Sequence, residues 1–292
     1  MVPFYHNLIR GDKDPLPHFK EELTADCLAR PRRKGQDMNW KTFVAMLARD
    51  AHVARRNALP LALQIFLQPL LFVFIFGQVM IRSGMMAAGY KSMLLPGIMA
   101  ISMLMTGVMA VSMPILMEFI TKEIEDRLLA PMETKWLAVE KLVAGMIQSL
   151  VAGSVVLPAG WLLLGRNIGV TFEHPIELAA IMLLVAMLAA AGGLAMGCSV
   201  SQTHIGLLFS MVLAPMIMFG CAYYPWSALK SFPVMQKAVL INPLVYASEG
   251  LRGTLAPHVP HMPVILVAAI LVLADIALIA FALNRFHRKT IG

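Results

Sequence analysis

Apolar residues gather into six runs of about 20, each long enough as a helix to cross the roughly 30 Å of hydrocarbon in a bilayer. They cover residues 61–81, 93–117, 142–164, 178–200, 205–224 and 264–284. The polar links between them are unequal. Those at 82–92, 165–177 and 201–204 are short, whereas 118–141 and 225–263 are long enough to carry structure of their own.

Ahead of the first run the pattern changes twice. Residues 1–37 are polar and broken by Pro3, Pro15, Pro17 and Pro31, which reads as a disordered extension. From Asn39, which suits a cap, Trp40, Phe43, Val44, Leu47, Ala51 and Ala54 recur at helical spacing, with Lys41, Arg49, His52, Arg55 and Arg56 on the remaining arc. That pattern predicts a basic amphipathic helix lying in the membrane interface.

The link at 118–141 holds Glu123, Glu125, Asp126 and Arg127, then Leu128, Leu129 and Pro131. Charges this dense cannot sit in hydrocarbon, so the chain leaves the bilayer here. Ile124, Leu128 and Leu129 give a short helix one apolar edge, and Pro131 ends it. The link at 225–263 has apolar stretches too short to span. Residues 231–241 and 243–255 each read as a short helix, divided at Asn242-Pro243. A helical hairpin dipping partway into the bilayer fits this composition, with Glu249 and Arg252 spaced i, i+3 to pair on one face.

Composition agrees with a polytopic membrane protein. The 292 residues are 59% hydrophobic and 14% charged, with mean hydropathy +0.72, where soluble domains are about 45–50% apolar and 25% charged. The net charge of +7 does not point to nucleic acid, because the basic residues sit in tails and loops flanking apolar runs. Six spans put both termini on one side. Of the 24 Lys and Arg residues, all but Arg82, Lys91, Arg166, Lys230, Lys237 and Arg252 fall on that side together with the 118–141 link. The positive-inside rule therefore makes the termini and that link cytoplasmic. Small residues at every fourth position, Gly145, Ser149 and Gly153 in the third run and Ala189, Gly193 and Gly197 in the fourth, predict close helix packing within the chain.

Candidate chemistry is sparse. There is no P-loop, no H-E-x-x-H and no G-x-S-x-G motif. Three cysteines, Cys27, Cys198 and Cys221, form no metal-binding or disulfide pattern. His258 and His261 read as a solvated pair. No catalytic set assembles at one depth, which weighs against an intramembrane enzyme acting on lipids. Asp275, near the middle of the sixth run, is the one intramembrane carboxylate, either a functional group or a structural one facing another helix. Gln64, Gln68 and Gln78 share a face of the first run, as a polar lining or as bonding groups between helices. Met99, Met103, Met105, Met109 and Met113 give the second run an adaptable apolar wall.

Taken together, residues 39–292 resemble the permeases of ABC-2 type exporters. The likeness is carried by Glu123-Ile-Glu-Asp-Arg-Leu-Leu-Ala-Pro131 and by Asn242-Pro-Leu-Val-Tyr-Ala-Ser-Glu-Gly-Leu-Arg252, each placed where that family has its characteristic segments, with Gly220, Pro225 and Pro233 ahead of the second. The resemblance implies an all-α membrane protein. Six transmembrane helices follow the interfacial helix, and a re-entrant helical hairpin lies between the fifth and sixth. It divides the chain into an extension, 1–37, and a permease domain, 38–292. It implies that Glu123, Glu125, Asp126, Arg127, Leu128 and Leu129 contact a separate P-loop ATPase, which holds ATP and Mg while this chain holds no cofactor. It implies that Asn242, Pro243, Tyr246, Glu249 and Arg252 shape an external gate, that a second permease copy completes the transporter, and that the site of action is a bacterial inner membrane. Aromatic residues in the spans are few, which favours export of a hydrophobic or amphiphilic compound over a lipid-linked saccharide or polysaccharide. A proton-coupled secondary transporter using Asp275 is the rival from another class.

Overall fold

The computed structural model describes residues 66–67, 69–84, 89–121, 134–165, 169–199 and 205–291. The chain divides into two units, Met1–Asp37 and Met38–Gly292, and every described residue belongs to the second. The predicted interfacial helix from Asn39, most of the 118–131 segment, and Gln64 and Gln68 lie outside the described residues.

All regular structure among the described residues is helical. Four helices are long and apolar enough to cross a membrane: α2 (Tyr90–Ile120), α3 (Thr134–Leu164), α4 (Pro175–Ser199) and α8 (Val264–Ile291). Two shorter apolar helices, α1 (Pro69–Arg82) and α5 (Phe209–Met218), fall in the first and fifth runs. Each contains one turn of π-helix, at Ile75–Val79 and Phe209–Leu213. Between α5 and α8 lie a 3-10 turn at Trp226–Ser231, α6 (Pro233–Ala238), another 3-10 turn at Val239–Ile241, and α7 (Pro243–Leu255).

Several boundaries differ from the hydropathy reading for local reasons. The fifth apolar run extends to 224, yet its helix stops at Met218, because Cys221 adopts a left-handed backbone (φ 52°). The sixth helix continues through the basic tail to Ile291, its polar last turns needing only an unbroken hydrogen-bond ladder and no apolar side chains. Asn242 follows the Val239–Ile241 turn and caps α7: its Oδ1 accepts from Leu244 N at 3.0 Å, and Pro243 takes the first helical position, where no N–H is needed.

Packing explains the small residues. In the most apolar stretch of α2, 83% of residues are buried, against 17% in α8, so α2 is the central post and α8 a peripheral one. Ile265, Leu273 and Ile276 of α8 are bare outward, as a lipid-facing surface would be. A Cβ added at Gly193 would come 2.6 Å from the Val108 carbonyl, so α4 and α2 touch backbone to backbone. Ser149 of α3 donates to the Met103 carbonyl of α2 at 2.9 Å. Both small-residue ridges therefore face α2 of the same chain, as expected. The buried residues form two apolar clusters. A large one joins α2, α4 and the hairpin, and a smaller one joins the far ends of α2, α3, α4 and α8. Cys198 lies in the smaller and Cys221 in the larger, and both thiols are free.

Candidate functional site

The densest polar bonding among the described residues surrounds α7. Its sequence places Ser248, Glu249 and Arg252 within just over one turn, so their side chains emerge on one side of the helix. All three are 1% exposed or less. Glu249 Oε1 accepts from Arg252 Nη1 at 2.5 Å and from the Trp226 backbone N–H at 2.8 Å. Its second oxygen accepts from the Met262 N–H at 3.0 Å. One carboxylate thus ties the start of the hairpin, its second helix and the lead into α8. The expected i, i+3 pair forms, as the core of a larger knot.

Arg252 reaches the other way. Its Nη2 donates to the Cys221 carbonyl at 2.9 Å and lies 3.4 Å from that of Ala222. Ser248 Oγ donates to the Gly220 carbonyl at 2.6 Å, and Tyr90 Oη, at the start of α2, donates to the Tyr223 carbonyl at 2.7 Å. Four successive carbonyls are therefore captured by side chains where the helical ladder has stopped. The left-handed turn at Cys221, costly for a residue with a Cβ by about 1–2 kcal/mol, aims those carbonyls at α7. Gly97 of α2 lies directly beneath, and a Cβ there would come within 1.8 Å of the Ala222 oxygen. Burial lowers the pKa of the Arg252 guanidinium from its ordinary value, and the Glu249 carboxylate opposes that shift.

The remaining hairpin residues brace the break between its halves. Asn242 Nδ2 donates to the Met216 carbonyl of α5 at 2.7 Å, and Tyr246 Oη donates to the Leu240 carbonyl at 2.9 Å. Trp226 Nε1 donates to the Gln236 carbonyl at 3.0 Å. Glu249 and Arg252 are thus joined in the knot, while Asn242 and Tyr246 bond to Met216, Leu244 and Leu240 around the break and Pro243 opens α7. Sequence reasoning gave Tyr90, Cys221, Trp226 and Ser248 no role in this site. Only Ser248, one turn before Arg252, carried a signal in its spacing.

The other predicted residues lie elsewhere. Glu123, Glu125, Asp126, Arg127, Leu128 and Leu129 are outside the described residues. Their flanks are not: Lys141 Nζ of α3 lies 3.1 Å from Glu118 Oε1 of α2 and 3.6 Å from Glu140 Oε2, and all three side chains are buried. Asp275 falls on the buried stripe of α8 with Val267, Leu271, Ala282 and Phe286. It is 2% exposed and neither carboxylate oxygen has a hydrogen-bond partner, so it takes no part in the hairpin knot. Gln78 donates from Nε2 to the Leu163 carbonyl of α3, a bond between helices. Among the described residues no cluster of His, Cys, Asp or Glu is arranged to hold a metal ion, and His261 Nδ1 contacts the Val259 carbonyl at 2.8 Å.

The profile of the ABC-2 type transporter family matches residues 41–256. That range takes in the charged 118–141 link, the central helices and the hairpin through α7. No curated protein matches the chain.

Proposed function

Because this chain belongs to the ABC-2 type transporter family, we propose that it is the permease subunit of an ATP-driven exporter that moves a hydrophobic or amphiphilic compound out of the cytoplasm or the inner leaflet. The family's membrane domain is a permease component and is not itself catalytic. ATP and Mg belong on a separate P-loop subunit, which docks on Glu123, Glu125, Asp126, Arg127, Leu128 and Leu129. A short helix seated in a cleft of that ATPase moves as the ATPase closes on nucleotide, and it rocks the helices it joins. In this reading α1 and α5 belong to the first and fifth of six spans, and both termini are cytoplasmic in a bacterial inner membrane. The α6–α7 hairpin enters the outer face of the bilayer, and a second permease copy completes the pathway.

The observation that carries the reading is the family match across 41–256, a range that includes both 123–131 and 242–252. The hairpin's geometry agrees with a re-entrant element. Its break is at Asn242, and the backbone groups freed around 220–223 are met by side chains, the condition for irregular backbone at membrane depth. A lipid-linked saccharide remains the alternative cargo, with sparse aromatics weighing against it. Affinity purification of the full chain from its native membrane tests the reading. A P-loop ATPase co-purifies, and Glu125→Lys or Arg127→Glu weakens its retention. Purification without any such ATPase overturns the proposal.

One observation favours a second reading. Asp275 is a buried carboxylate without a bonding partner, as a proton carrier in a secondary transporter would be. Transport driven by a proton gradient without ATP, and abolished by Asp275→Asn, would establish it. ATP-driven transport that survives Asp275→Asn removes it.

A further inference from the structure

We propose that Lys141, with Glu118 and Glu140, is a positioning cluster that binds the two roots of the 118–141 segment into one mechanical unit, so that a push on that segment moves α2 and α3 together. The inference rests on the proposed docking of an ATPase on that segment.

Three features point to this role. The first is burial. Glu118 is 6% exposed, Glu140 0% and Lys141 4%, although each lies near a helix end where an ordinary charged side chain reaches water. Desolvating charges is costly and is tolerated only with pairing, part of which Lys141 supplies, 3.1 Å from Glu118 and 3.6 Å from Glu140. The second is connectivity. Glu118 belongs to the last turn of α2 and Lys141 to the early turns of α3, so the bridge closes the loop across its base. The third is what lies beside it. The Phe119 ring carries the Lys289 ammonium 4.5 Å from its centre and meets Phe286 edge-on at 6.4 Å. Lys289 Nζ also donates to the Gly197 carbonyl of α4 at 3.2 Å. The ends of α2, α4 and α8 and the start of α3 thus converge on the smaller apolar cluster, which includes Ile115, Leu137, Leu142, Cys198 and Phe286.

The mechanical consequence follows from packing. Close-packed interiors pass displacement on with little compression, whereas a gap between two helices absorbs it. A bridge with both ends desolvated keeps α2 and α3 at fixed spacing. α2 then runs 31 residues to Tyr90, whose hydroxyl holds the Tyr223 carbonyl beside the Glu249–Arg252 knot. The cluster therefore sits where force enters, at one end of the helix whose other end supports the hairpin.

The test uses the full chain co-purified with its ATPase in liposomes of phosphatidylethanolamine and phosphatidylglycerol, with a fluorophore on Ile241→Cys, an exposed hairpin position, in a background lacking Cys27, Cys198 and Cys221. ATP with vanadate changes the hairpin signal when Lys141 is present. Lys141→Met keeps the ATPase bound and hydrolysing but cuts that signal about tenfold, the size of an ordinary coupling free energy, and Lys141→Arg restores it. A full signal from Lys141→Met overturns the proposal. If Lys141→Met fails to assemble, Glu118→Lys combined with Lys141→Glu decides. Assembly with the hairpin signal supports the cluster, and assembly without it overturns the cluster. Absence of any ATPase from the unsubstituted preparation overturns instead the functional reading on which the proposal rests.

Discussion

The two ends of α2 each bury an ion pair, and the pairs are built differently. At the Tyr90 end, Glu249 and Arg252 belong to the same turn of α7, and their remaining hydrogen bonds go to backbone groups of neighbouring loop segments. At the Ile120 end, Lys141 and Glu118 belong to different helices and face each other across the base of a long link. The first arrangement satisfies irregular backbone and holds a loop in one shape. The second fixes the distance between two helices. A buried charge pair is therefore not one kind of device: its partners decide whether it shapes a segment or joins two bodies.

Substitutions separate these roles, and the largest effect belongs to the hairpin. Glu249→Ala leaves Arg252 buried without its carboxylate and strands two backbone N–H groups, at a cost of about 3–5 kcal/mol. Thermal unfolding of the detergent-solubilised protein monitored by gel filtration reads this as a large drop in melting temperature. An unchanged temperature would mean the knot is not structural. Gly97→Ala comes next, since its Cβ meets the Ala222 carbonyl. Displacing that backbone costs about 1–3 kcal/mol and lowers the melting temperature while the isolated Glu118 end stays intact. At that other end, a double-mutant cycle with Glu118→Gln and Lys141→Met gives a coupling energy of about 0.5–3 kcal/mol. A value near zero would reduce the bridge to chance proximity. The smallest effect is at the hairpin break, where Asn242→Ala removes a cap worth about 1 kcal/mol, and Asn242→Asp recovers the cap without the Met216 bond.

Much of the architecture was legible beforehand. Residues 93–117, 142–164 and 264–284 each fall inside a helix, and the 178–200 run is helical through Ser199, because hydrocarbon leaves an apolar segment few alternatives to the helical ladder. The helix break at Asn242-Pro243 and the Glu249–Arg252 pair were also readable, since a cap, a first-turn proline and an i, i+3 spacing are local properties. The fourth-residue ridges at Gly145 and Gly193 announced close packing, and α2 is their partner. What escaped was everything joining distant positions. Tyr90 and Tyr223, or Lys289 and Gly197, are far apart in the chain, and no periodicity pairs them. Cys221 gave no hint of its left-handed turn, because that conformation serves contacts with α7 rather than any preference of cysteine.

The linear order of residues by itself determined that this protein is helical and membrane-embedded. It also located the charged link and the helix break at Asn242, since hydropathy, proline and cap chemistry act over a turn or two. Only the tertiary structure decided what those features hold. It placed α2 at the centre, closed the charged link at its base through Lys141 and Glu118, and turned a simple i, i+3 pair into a knot of three segments. The physical reason is that helix formation follows from local backbone geometry. The partners of a buried charge are set by which surfaces meet once the helices have packed.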